Sequence, residues 1–283
     1  MRPSVIIRDI ESMDEMRVVE DLEKEVWALE DRDITPVTQL VAVKATGGQL
    51  IGAFDGRTMI GFVYGFIGLD HGRTVHHSHM LAVKSEYRNG DVGYRLKLAQ
   101  RERVLAQGID RITWTFDPLQ SLNAYFNFCK LGVVSDSYKI DFYGAETSSF
   151  LHRAGTDRLW LTWILESGRV RNRLESSAKS NMCESQANLR PLVEAGVDGW
   201  PRPISANAGL SGDQVIIEIP ADINTVQREN PDQAVEWRKA TRHAFSEALA
   251  TGYIVEDFLR RPDGAHSVGV YLLSRARSIE DFA

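Results

Sequence analysis

The sequence predicts an α+β fold: a mixed, mostly antiparallel sheet flanked by helices, with a smaller α/β extension toward the C-terminal end. Three observations predict it. Segments with helical spacing alternate with β-branched runs along the first half of the chain. Short reversals at Asp55-Gly56 and at Asp70–Gly72 join extended runs, and such turns favour antiparallel pairing because their residues tolerate positive φ. A strand–helix–strand–strand order beginning at Arg111 recurs from Val215, which suggests a partial structural repeat that lengthens the sheet.

The bulk composition is that of an ordinary globular protein, with 43% hydrophobic and 25% charged residues among 283. That length suits one large domain, or a full domain with a smaller one. We divide it into a first domain at 1–166, a linker at 167–213 and an extension at 214–283. The net charge of −6 gives no bulk attraction to nucleic acid or an anionic membrane, and neither is expected as a partner. Arg169, Arg171 and Arg173 form the one basic cluster, and it reads as a solvated linker. The two cysteines, Cys129 and Cys183, make no CxxC pair, so no metal is expected. Their scarcity fits a reducing compartment. The start of the chain lacks the apolar stretch of a signal peptide. No apolar run approaches the roughly 20 residues of a membrane span. The expected location is cytoplasmic.

Taken in order, Val5–Arg8 is a β-branched run. Ser12 and Glu15 form a capping box ahead of Met16, Val19, Leu22 and Val26, which recur at helical spacing. Thr35-Pro36 reads as an N-cap with proline at the first helical position. Gly47-Gly48 ends that helix. Strands follow at Gln49–Phe54, Thr58–Ile67 and Val75–Val83. A helix carries Val92, Leu96 and Ala99 on one stripe and ends near Gly108. Arg111–Phe116 is a strand, Ser121–Leu131 a helix closed by Gly132, and Ser137–Tyr143 and Leu159–Leu165 are strands. Beyond the linker, Val215–Ile219 is a strand. A helix over Asp232–Ala250 carries Val235, Ala240, Phe245 and Leu249, and strands follow at Tyr253–Leu259 and Ser267–Leu273.

The chemistry concentrates where the strand ending Leu81-Ala82-Val83 turns into a helix through Arg88-Asn89-Gly90-Asp91-Val92-Gly93. A helix start leaves backbone N–H groups without intrahelical partners and carries partial positive charge. Small residues let an anion approach those groups, so such a turn can hold a phosphate. Arg88 adds a bidentate donor. The competing reading is a tight turn with Asp91 as a simple N-cap.

The order of elements from Val5 to Glu166 resembles the GNAT acyltransferase family. Two motifs carry the resemblance. Arg88 and Gly93 match the ends of that family's Arg/Gln-x-x-Gly-x-Gly/Ala turn, with Asp91 where the first glycine is expected and Gly90 beside it. Lys130 and Gly132 in Phe128-Cys129-Lys130-Leu131-Gly132-Val133 match its Tyr-x-Lys-x-Gly-Phe pattern. The segments HSHMLAVKSEYR and ITWTFDPLQSLNAYFNFCKLG also resemble an uncharacterised bacterial branch of predicted acetyltransferases in this family.

The resemblance implies an acyl-CoA-dependent N-acyltransferase that moves an acetyl or other acyl group to a primary amine of a small molecule or amino acid. It implies acetyl-CoA or another acyl-CoA held by Leu81, Val83, Arg88, Asn89, Gly90, Asp91, Val92, Gly93, Tyr94, Asn123, Phe128 and Lys130. Attack would be direct, without a covalent enzyme intermediate. Asp91 would repel a diphosphate, and Phe128 lacks the hydroxyl that protonates the departing thiolate, a role then falling to Tyr125, Tyr94 or water. His79 aligns with the family's usual fourth-strand carboxylate and is the expected base, with His77 on the same face by period two. His77, Asp117 and Arg158 are the expected acceptor contacts. A GNAT-fold protein that binds a ligand or partner without catalysis is the alternative, and a homodimer is left open.

Overall fold

The structure, a computed structural model, describes residues 5–88, 90–144, 155–175, 189, 191–204, 210, 212–263, 266–276 and 278–283. The chain forms two compact units. The first runs to Trp114 and the second begins at Thr115. Asn89 and Cys183 lie outside the described residues.

The first unit holds β1 (Val5–Asp9), α1 (Met13–Trp27), α2 (Val37–Ala45), β2 (Gln49–Asp55), β3 (Thr58–Asp70), β4 (Arg73–Val83), α3 (Val92–Ala106) and the start of β5 (Arg111–Phe116). Its strands lie in the order β1-β2-β3-β4-β5. The first three pairings are antiparallel, while β4 and β5 run parallel. The sheet is thus mixed and mostly antiparallel, as the turn chemistry predicts. His71 (φ 47°) and Gly72 (φ 79°) both take left-handed backbone between β3 and β4, the requirement of a tight hairpin. At the β2–β3 hairpin, Asp55 pairs with Thr58, so the two loop residues are Gly56 and Arg57 rather than Asp55 and Gly56.

Two apolar layers enclose this sheet. On one face Met16, Val19 and Leu22 of α1 and Leu40 of α2 pack with Leu50, Phe62 and Tyr64. On the other, Val92 and Leu96 of α3 pack on Ile51, Val63 and Val83. The capping box predicted for α1 forms: Ser12 Oγ accepts the Glu15 N–H at 3.2 Å. The second helix departs from expectation. Pro36, not Thr35, holds the N-cap position, and the first N–H of the helix, that of Val37, donates to the Glu20 carboxylate of α1 at 2.7 Å. Thr35 is drawn away because its N–H donates to the buried Glu23 carboxylate at 2.8 Å.

The second unit contains a short helix α4 (Ser121–Ala124) that continues as a π-helical stretch over Tyr125–Leu131. It then holds β6 (Val134–Lys139), β7 (Arg158–Ile164), α5 (Gly168–Glu175), β8 (Val193–Ala195), β9 (Pro201–Pro203) and β10 (Gln214–Pro220). Helices α6 (Ile223–Glu229) and α7 (Pro231–Ala250) and strands β11 (Tyr253–Asp263) and β12 (His266–Arg275) complete it. The strand order here is β7-β6-β11-β12-β10, with antiparallel pairing wherever registers are resolved. Val255 opposite Ser135 joins β11 to β6, so the late strands extend the sheet that β6 and β7 begin.

Three expectations fail in this unit. The Arg-rich segment is a helix, not a solvated linker. Arg173 is buried and its guanidinium bonds Asp257 at 2.8 Å, while Arg169 donates to the Gly132 carbonyl. The strand expected at Ser137–Tyr143 begins at Val134 instead. In α7 the buried stripe is Ala234, Trp237, Arg238, Thr241, Phe245 and Ala248, and Val235 faces solvent. Sequence periodicity misplaces that stripe because it includes an arginine and a threonine. Both are made tolerable by partners: Arg238 by Asp117, and Thr241 by the Trp237 carbonyl.

Candidate active site

β4 carries the features of interest, and its ladder is irregular. Tyr64 of β3 pairs with Met80 and Gly65 with Ser78, so His79 is an extra residue in a β-bulge. The bulge changes which side chains share a face. His77, His79 and Met80 lie on the α1–α2 side, where the two imidazoles meet Phe66 and Met80 packs on the core. Leu81 and Val83 are thereby shifted to the α3 side. Gly65 opposite the bulge is required by space: a Cβ there would sit 2.4 Å from His76 Nε2 and 2.6 Å from the His77 carbonyl oxygen.

The second irregularity is on β4's other edge. Its parallel pairing with β5 is confined to His76↔Ile112 and His77↔Thr113. Beyond His77 the two strands part, although β4 continues to Val83. The second half of β4 therefore offers an edge that β5 does not pair.

Three histidines behave differently here. His76 is buried and its Nε2 accepts from Gln100 Nε2 at 3.2 Å. Burial, with smaller contributions from Lys97 and His77, pushes its pKa down to about 3. His77 Nδ1 hydrogen-bonds Thr113 Oγ1 at 3.1 Å, and burial, then His79 and Lys97, lowers its pKa to about 4. His79 keeps an exposed edge, yet Tyr64 and Phe66 stand 5.9 Å from its ring and His77 6.2 Å. The surrounding protein holds its pKa below the usual value. All three are neutral at pH 7, and His79 is the most exposed of them, with His77 partly buried and His76 buried.

The turn after β4 is held from several sides. Lys84 N–H donates to the Ile60 carbonyl at 2.9 Å, the Tyr87 hydroxyl to Asp55 at 2.9 Å, and the Gly90 N–H to the Tyr87 carbonyl at 3.1 Å. Arg88 Nε donates back to the Val83 carbonyl at 3.2 Å, tying the guanidinium to the end of the strand. Asp91 is the N-cap residue of α3, but its side chain makes no capping hydrogen bond, contrary to the simple capping role. Its backbone is left-handed (φ 55°). Asp91 itself, not Gly90 on its behalf, takes the conformation that a glycine at this place would supply. Aspartate is among the few residues that visit it at low cost. The first i→i−4 bond of the helix runs from the Arg95 N–H to the Asp91 carbonyl, so the backbone N–H groups that precede it form the head of α3. At Gly93 a Cβ would find Leu81 at 3.4 Å, an ordinary contact. Internal packing does not demand glycine there, which leaves its bare backbone open to something outside.

The remaining candidates lie in the second unit. Phe128 is fully buried, with Phe116 at 6.2 Å and Tyr271 at 5.8 Å. It is core, which corrects its assignment to cofactor binding. Asp117 is likewise committed: Oδ1 accepts the Leu119 N–H at 2.9 Å and Oδ2 accepts from Arg238 at 2.8 Å. This corrects its assignment to acceptor binding. Arg158 lies over the Tyr143 ring at 5.1 Å. Tyr125 and Lys130 are half-buried on the π-helical stretch, and Asn123 is exposed. Cys129 is buried with its thiol donating to the Phe258 carbonyl, and burial pushes its pKa far up, so it is no nucleophile. Among the described residues no three His, Cys, Asp or Glu side chains converge as metal ligands, and no helix is long and apolar enough to cross a membrane.

Sequence reasoning missed a polar cluster beneath β4. Lys97, Gln100, His76 and Ser78 are all buried against one another. The available signal was Lys97 and Gln100 standing beside Leu96 and Val104 on the buried side of α3.

No family model matches the sequence, and no curated protein does. Among solved structures, the chain is similar to the ribosomal-protein-S18-alanine N-acetyltransferase of Escherichia coli at 12% identity and a TM-score of 0.46. That match covers 63% of this chain and 99% of that one. It is similar to an aminoglycoside 6′-acetyltransferase type Ii at 20% identity and a TM-score of 0.44, over 56% of this chain and 97% of that one. A third likeness, at 15% identity and a TM-score of 0.43 over the same shares, is to an aminoglycoside 6′-N-acetyltransferase complexed with coenzyme A.

Proposed function

We propose that the chain is a GNAT-type N-acyltransferase that passes an acetyl or other acyl group from acyl-CoA directly to a primary amine of a small molecule or amino acid. One observation carries the reading. β4 joins a bulge at His79, an edge that β5 leaves unpaired beyond His77, and a turn into a helix start that no N-cap side chain closes.

Each part suits one part of the cofactor. The positive end of α3 and the Arg88 guanidinium suit a diphosphate. The open strand edge suits an extended arm bearing amide groups, which it would bind as an added strand. Acyl-CoA supplies an activated thioester. His79, neutral at pH 7, takes the proton from the attacking amine. A backbone N–H of the bulged segment donates to the thioester oxygen as charge develops there. The C–N bond forms, the C–S bond breaks, and the sulfur takes a proton from the Tyr125 hydroxyl or from water. Tyr94 lies within the anion-binding turn, and Arg158 and His77 remain the proposed acceptor contacts. The functional division into 1–166 and an extension at 214–283 belongs to this proposal, whereas the two compact units are a division by contacts.

Two features favour the alternative, a ligand-binding protein without turnover. The buried Phe128 supplies no hydroxyl, and the exposed Asp91 places a carboxylate beside the helix start. Titration calorimetry with acetyl-CoA, succinyl-CoA and CoA, followed by turnover on an amine panel, separates them. Absence of binding at millimolar CoA would refute the acyltransferase reading. Binding without turnover on any amine would select the alternative. With turnover, His79→Ala should lower kcat by about 10²-fold or more, the range of general-base removal. Because His79 has a lowered pKa, the wild-type rate should rise with pH to a plateau reached below the ordinary histidine range, and the variant should lose that limb.

A further inference from the structure

Lys97 is the buried group that the proposed reaction does not use. It projects from the second turn of α3, whose first turn is the proposed anion site, about 7–8 Å further along the helix at 1.5 Å per residue. It is 3% exposed, and among the described residues no carboxylate acts on it. Its amine donates to Ser78 Oγ at 2.8 Å, approaches Gln100 Oε1 at 3.4 Å, and lies 3.7 Å from the centroid of the Trp114 ring.

These partners have a common position. The last β4–β5 pair is His77↔Thr113. Ser78 is the next residue of β4 and Trp114 the next residue of β5. Lys97 thus touches both strands at the first step where they fail to pair. Ser78 is also the last residue in register before the bulge.

Resting on the acyl-CoA reading above, we propose that Lys97 is a positioning residue that wedges β4 from β5 at their fork and so keeps open the strand edge that receives the pantetheine arm. Two strands that begin a parallel ladder gain a hydrogen bond for each residue they add, so an open fork needs something to stop the zipper. A side chain bonded to one strand and seated on a ring of the other does this. Burial holds the amine well below its usual pKa, which allows it to stay in this position without a counter-ion. A Ser–Lys pair can also serve as an activated nucleophile. Ser78 is only 4% exposed, too buried to meet a substrate.

The test compares two probes by calorimetry: CoA, and 3′-phospho-ADP, which keeps the phosphates and adenosine but lacks the pantetheine arm. Lys97→Met keeps the bulk and removes the donor. It should weaken CoA at least tenfold while changing 3′-phospho-ADP less than threefold. Ser78→Ala removes only the acceptor and should weaken CoA at least threefold with the same selectivity. It stands in if Lys97→Met does not fold. Equal loss of both probes would mean general damage and overturn the wedge. Unchanged CoA affinity in the folded variants would overturn it too, with the acyl-CoA reading intact. Failure of the wild type to bind CoA would overturn both.

Discussion

Glu23 offers the sharpest test of the packing around α1. Its carboxyl is fully buried; Oε2 accepts the Thr35 N–H at 2.8 Å, and Oε1 has no partner among the described residues. Burial raises its pKa to about 7, against the opposing pull of the Thr35 bonds. The unfolded chain titrates this group near 4.5. Between those values the folded state holds a proton that the unfolded state has released, so the contribution to stability falls as pH rises. At 1.36 kcal/mol per pKa unit, the folded state loses roughly 2–3 kcal/mol between pH 5 and pH 8 through this one group. Glu23→Gln keeps an oxygen for Thr35 and removes the titration. The lowered pKa values of His76 and His77 act in the opposite sense, adding stability as pH rises toward 6.5, but they are common to both proteins and cancel in the difference. Urea unfolding at pH 5, 6, 7 and 8 should therefore show the variant gaining roughly 2–3 kcal/mol on the wild type across the series. A difference constant to within about 0.5 kcal/mol would refute the assignment of a buried, uncharged Glu23, whatever the offset from the unpaired amide.

Two further outcomes are expected. Asp91→Gly removes a carboxylate from the helix start and suits the left-handed backbone at φ 55°. CoA affinity by calorimetry should rise by about threefold to tenfold, and more at low salt than at high salt; a loss of affinity would mean that the carboxylate itself contacts the ligand. Asp117→Ala removes the carboxylate paired with the buried Arg238 guanidinium and the acceptor of the Leu119 N–H. It should destabilise the fold by about 3–5 kcal/mol in denaturant melts, and a loss below about 1 kcal/mol would show that the pair is not desolvated.

The sequence by itself determined the element order as far as β7, the hairpins and the strand–turn–helix at Leu81–Gly93, because these rest on short-range rules; it did not find α5, β8, β9 or α6. Glycine and aspartate tolerate positive φ, a capping box closes over three residues, and apolar spacing marks a face. It also placed His77 and His79 on one face, since period two holds as far as the bulge. The tertiary structure alone decided the rest. A bulge is a mismatch between two strands, so nothing within β4 announces that His79 is the extra residue or that Leu81 and Val83 change sides. Lys97 is seated where β4 parts from β5, and its helical neighbours mark it as an oddity without naming Ser78 and Trp114 as its partners. Phe128 and Asp117 read as functional because motif position and polarity suggested it. Contacts 121 and 143 residues away, with Arg238 and Tyr271, made one an ion pair and the other core. Burial sums contributions from the whole unit, which is why the lowered pKa values of the histidines and the raised one of Glu23 could only be read once the chain was folded.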